Sequence, residues 1–149
     1  MSNEQSPAVR SAVNPEEMAA ILRRTGYRAT VAELAGQPQV QSAAQGLGFF
    51  IGFGNAAPAA PGAFIDLAFQ CLISIQGEVP AGMIEGWNRS MRFARLFRQE
   101  AFLVLTMDVV LAGGVTDDYL CAQCELWDRV IRDFILHLRN PAAEPTTGS

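Results

Sequence analysis

The hydrophobic period of the chain changes along its length, and that alternation restricts the fold more than any other feature of the sequence. Between Arg28 and Ser74 the apolar residues fall into short runs, Arg28 to Leu34, Gln39 to Ala44, Leu47 to Phe53 and Ala63 to Ser74. Gly36-Gln37-Pro38, Gly46 and a Pro/Ala/Gly-rich stretch from Gly54 to Gly62 separate them, which is the punctuation of a four-stranded meander. Before it, Asn14 can cap a helix, Pro15 suits the first helical position, Glu16 and Glu17 favour the positive end, and Gly26 stops it. Met18, Ile21 and Leu22 give that helix one apolar stripe. After the meander, Pro80 opens a short helix through about Ser90, and Arg92 to Arg98 with Phe102 to Leu111 read as a hairpin. Thr116 then caps a long closing helix whose apolar positions, from Leu120, Cys124 and Trp127 to Leu138, keep helical spacing up to Asn140-Pro141. Helix, strands, helix, strands, helix is an α+β order with a mostly antiparallel sheet.

A core is affordable at this size. The chain has 149 residues, half of them hydrophobic, and residues 14–139 read as one domain needing neither metal nor disulfide. Residues 1–13 are polar and residues 140–149 are rich in Pro, Thr, Gly and Ser, so both read as disordered tails. The start of the chain lacks an apolar signal core and no apolar run approaches about 20 residues, so we expect a cytoplasmic protein without a membrane partner. Three cysteines, Cys71, Cys121 and Cys124, lack a disulfide-framework spacing and fit a reducing compartment.

Charge removes several functions. All 11 cationic residues are arginine, against 15 Asp+Glu, for a net charge of −4, which speaks against nucleic acid as a partner. Without lysine there is no Schiff-base nucleophile and no phosphate-loop cation. The single histidine, His137, lies near the end of the closing helix, and no serine sits in a nucleophile elbow. Cys121-Ala122-Gln123-Cys124 has redox or zinc spacing, but a zinc site needs two further ligands, and Asp117 and Asp118 would oppose a thiolate. These cysteines read as packing residues. Gly113-Gly114 before the closing helix could cradle an anion, yet Asp117 and Asp118 already occupy that positive end, so a tight turn is the better reading. No metal, no cofactor and no enzymatic activity are expected.

One stretch concentrates the remaining signal: Gly86-Trp87-Asn88-Arg89-Ser90-Met91-Arg92-Phe93-Ala94-Arg95-Leu96. Trp87 should pack between the middle helix and the sheet, and Asn88 should terminate that helix by taking the left-handed conformation. On a strand, Arg92 and Arg98 would share a face with Ala94 and Leu96. Arg95 would then lie with Phe93 and Phe97 near the core face, needing a carboxylate such as Asp108. Trp87-Asn88-Arg89, Arg92-Phe93-Ala94-Arg95, Asp108, the Gly113-Gly114-Val115-Thr116 turn and Trp127 together resemble the signature of the YbjN-domain family, bacterial proteins labelled sensory transduction regulators. The resemblance implies a type III secretion chaperone-like fold and no established catalytic activity.

The expected function is therefore a non-catalytic regulatory or chaperone-like module that binds a protein partner or itself. A homodimer could use a sheet edge and the apolar Pro80 to Trp87 face, with arginines at the rim selecting acidic partners. The alternative is a small-molecule-sensing or enzymatic domain that holds an acidic ligand at Arg92 and Arg95.

Overall fold

The computed structural model describes residues 8–139. Its first element, β1 (Val9–Arg10), lies inside the stretch expected to be a disordered tail. The short strand β8 (Val115–Thr116) pairs with it antiparallel, and Arg10 reaches Asp117 through two bonds of 2.7 and 3.2 Å. Val13 is fully buried and exchanges two 2.9 Å backbone bonds with Phe64. Composition gave no sign of this strap, because its hold comes from backbone partners distant in sequence. The rest of the expected tails, 1–7 and 140–149, lies outside the described residues.

Helix α1 (Pro15–Arg24) begins at a capping box: the Asn14 side chain accepts from the Glu17 N–H at 2.7 Å, and the Glu17 carboxylate accepts from the Asn14 N–H at 2.9 Å. Strands β2 (Thr30–Leu34), β3 (Gln37–Ala44), β4 (Leu47–Phe53) and β5 (Asp66–Ser74) follow. Ala35-Gly36 and Gln45-Gly46 both hold positive φ at two successive positions, the two-residue turn that matches strand twist. The middle helix α2 (Met83–Ser90) starts after Gly82 at φ 83°, three residues beyond Pro80. Strands β6 (Arg95–Gln99) and β7 (Phe102–Val110) form the second hairpin, and α3 (Asp117–Arg139) closes the chain, with the Tyr119 N–H donating to Thr116 Oγ1 at 3.0 Å.

The six long strands form one antiparallel sheet in the order β2-β3-β4-β5-β7-β6. The fold is α+β. Alternation along the strands sends Ile51, Phe69, Leu96 and Leu105 to one face, where Met18, Leu22, Trp127 and Phe134 of the helices complete the core. Trp127 stacks against Phe69 at 5.5 Å and meets Phe49 edge-on at 5.8 Å. The opposite face carries Gln41, Phe50, Gln70, Thr106 and Arg95 in one row across five strands. Among the described residues no helix packs on it, and Leu72, Phe102 and Val110 stand exposed there. Among the described residues, no helix is long and apolar enough to cross a membrane.

Candidate functional site at the corner between the middle helix and the edge strand

The corner is built by two side chains reaching from α2 to the edge strand. Trp87, 1% exposed, meets Phe134 and His137 edge-on at 5.7 and 5.5 Å. Its indole N–H donates to the Ala94 carbonyl at 3.0 Å, which satisfies the one polar atom of a buried ring. His137 is thereby a packing residue: its Nε2 bonds the Met83 carbonyl at 2.7 Å, tying α3 to the first turn of α2.

Asn88 does something other than terminate its helix. The helix runs on to Ser90, and the terminating residue is Met91 in extended geometry. The Asn88 amide instead copies a neighbouring strand: it donates to the Leu96 carbonyl at 2.8 Å and accepts from the Leu96 N–H at 2.9 Å. An edge strand otherwise presents such groups to any passing chain. Of the two edges, β6 is covered at Leu96, near its start, and β2 is the other. Within the Pro80 to Trp87 segment expected to support self-pairing, Met83 and Trp87 are buried, Ile84 is half-buried and Pro80 is exposed.

The left-handed position expected at Asn88 belongs to Phe93, at φ 79°. The Ala94 N–H donates back to the Arg92 carbonyl at 2.9 Å, so Phe93 is the centre of a three-residue γ-turn with positive φ, a rare and strained form. A bulky residue there is an outlier, costing roughly 1–3 kcal/mol. The fold imposes it, because Trp87 fixes the Ala94 carbonyl and Asn88 fixes Leu96 on either side of the strand's entry. The strained ring is nonetheless not used for packing, being 65% exposed.

Phase along β6 also differs from expectation. Ala94 and Leu96 are the buried pair, so Arg95 and Phe97 point to the open face and Arg95 is mostly exposed. Its partner is Asp108, at 3.0 Å, and both groups are solvated. Such a pair contributes at most about 1 kcal/mol to stability. Arg95 also lies 6.0 Å over the Phe97 ring, and Arg92 lies 5.8 Å over Phe93. Phe93, Ala94, Arg95, Thr106 and Asp108 border a shallow, open hollow of about 270 Å³. Arg98 is elsewhere, donating to the Glu100 carbonyl at 3.0 Å, and Arg89 is exposed on α2.

The other signature residues hold the frame. Gly113 and Gly114 take φ of 95° and 105°, where other residues are strained, and a Cβ on Gly114 would come within 2.6 Å of Val9 Cγ1, so the Val9 side chain would have to shift. Asp117 is bound by Arg10, whose hydrogen bond holds its carboxyl below the usual value, partly offset by burial. Cys71, Cys121 and Cys124 are free thiols, and burial pushes Cys71 up to about 11 and Cys124 up to about 12. Neither buried thiol is disposed to ionise. Among the described residues no three His, Cys, Asp or Glu groups converge as metal ligands would.

Comparison with known proteins gives one match. The YbjN family model, described as "Putative bacterial sensory transduction regulator", covers residues 14–140. No curated protein matches the chain, and no solved structure does.

Proposed function

The chain belongs to the YbjN family, and from that premise we propose that it is a non-catalytic regulatory module that works by binding a protein partner on the open sheet face at the Phe93 corner. A single observation carries the reading: Phe93 is 65% exposed while held at φ 79°. A fold gains little stability from a ring in water, and glycine would relieve the turn. Strain kept at an exposed aromatic is characteristic of recognition sites, where fixing a side chain beforehand lowers the entropy cost of binding. Two guanidinium groups stacked on neighbouring rings add the residue types enriched at interface hot spots. A chaperone-like role is one form of such binding, and self-association would fall to β2, since Asn88 covers Leu96 on β6.

The acidic-ligand alternative has less support, because the hollow beside Arg95 is open rather than enclosed. About 270 Å³, open to solvent, is below the roughly 300–1,000 Å³ of enclosed small-molecule sites.

Phe93→Gly separates folding from recognition. We expect its denaturant midpoint to equal or exceed that of the wild type, and the partner recovered by affinity capture from the native host to be lost. Unchanged recovery, with the fold intact, would refute a binding role for the corner.

A further inference from the structure

Resting on that reading, we infer that the partner segment is acidic with an aromatic side chain, and that Asp108 is an internal stand-in for its carboxylate. Arginine presents five N–H donors in a rigid fork suited to bidentate carboxylate recognition. The Asp108 carboxylate engages Arg95 through one bond, Nη1 to Oδ2 at 3.0 Å, which leaves most of that fork unused. Both partners are more than half exposed, so an incoming carboxylate can reach the guanidinium without opening the fold.

Local charge points the same way. In a chain of net charge −4, Arg92 over the Phe93 ring and Arg95 beside it place two cations at this corner, while Asp108 is the one acidic residue bordering the hollow. The hollow itself is open and of about 270 Å³, and Phe93 lines it together with Ala94, Arg95, Thr106 and Asp108. An aromatic side chain set there meets Phe93, and an acidic neighbour in the same segment meets Arg92 or Arg95. Asp108 thus competes with the ligand: it holds Arg95 in place when the corner is empty and opposes a second carboxylate when it is filled.

The sign of one substitution tests this. Fluorescence anisotropy of the full chain is measured with a labelled glutamate-rich peptide carrying one central phenylalanine, and with its lysine-rich counterpart. Asp108→Asn should tighten binding of the acidic peptide about two- to fivefold, the factor that an exposed ion pair corresponds to. Arg95→Ala should weaken it, and the Asp108→Asn gain should fade in about 1 M salt, where screening acts within about 3 Å. Thermal midpoints of both variants are compared with wild type, so that loss of fold is not mistaken for loss of binding. Equal or weaker binding by Asp108→Asn, equal binding of the lysine-rich peptide, or no binding by wild type and Asp108→Asn alike would each overturn the inference. If a host partner is still lost with Phe93→Gly, the acidic assignment alone fails and the corner remains an interface.

Discussion

Trp87 and Phe93 bracket the same corner with opposite uses of an aromatic ring. Trp87 is surrounded by Phe134 and His137 and satisfied by the Ala94 carbonyl, so its truncation leaves a cavity and an unpaired carbonyl together. We expect Trp87→Ala to cost about 3–5 kcal/mol in denaturant unfolding, and a loss below about 1 kcal/mol would remove Trp87 from the core. Its burial was legible from the helical spacing of Met83 and Trp87. The turn at Phe93 was not, because local preference favours Asn88 for a left-handed position. Three hydrogen bonds, one from Trp87 to Ala94 and two between Asn88 and Leu96, decide otherwise, and no property of Phe93 itself announces them. The Arg95 to Asp108 pairing was legible as a cross-strand neighbour, whereas the face it occupies was not. Alternation from Arg92 kept Ala94 and Leu96 on one face but put Phe93, Arg95 and Phe97 near the core, and the structure buries Ala94 and Leu96 instead.

Among the elements, α3 is the one that ties separate parts of the chain together. Its Asp128 accepts from Arg132 at 2.9 Å and from Gln45 of the β3 to β4 turn at 3.3 Å, and the Tyr27 hydroxyl lies beside it. Burial pushes the Asp128 carboxyl upward, and hydrogen bonds from Tyr27, Gln45 and Arg132 outweigh it, leaving the group below its usual 3.8. Asp117, at the other end of the hold, is likewise lowered by Arg10. Both groups bind protons more weakly folded than unfolded, so their stabilisation is complete above the unfolded value near 4 and is lost as pH falls through the lower folded values. The thermal midpoint should therefore drop below about pH 4, and Asp128→Asn should remove part of that drop. An unchanged acid limb in Asp128→Asn would contradict the role given to this hub. The helices and long strands were legible from period and caps, as in the Asn14 to Glu17 box. Strand β1 was not, since two residues carry no periodicity and its partner lies beyond 100 positions away, as the Arg10 to Asp117 separation of 107 shows.

At the level of the whole molecule, the sheet divides the protein into a face covered by the helices and an open face. Three helices bury one face, while the other keeps Phe50, Leu72, Phe97 and Phe102 at least partly open beside a row of glutamines and the Arg95 to Asp108 pair. Large apolar groups left on one face of a chain with ample helical cover elsewhere are the kind of surface that the proposed binding would use. Both sides offer exposed positions of comparable size, Phe93 on the corner of the open face and Leu136 on α3, which permits a matched comparison. Site-specific photo-crosslinking in the native host, with the reactive residue placed at position 93 or at position 136, measures which side meets a partner. Adducts to a protein partner from position 93 and none from position 136 are the predicted result; adducts from position 136 alone would contradict it.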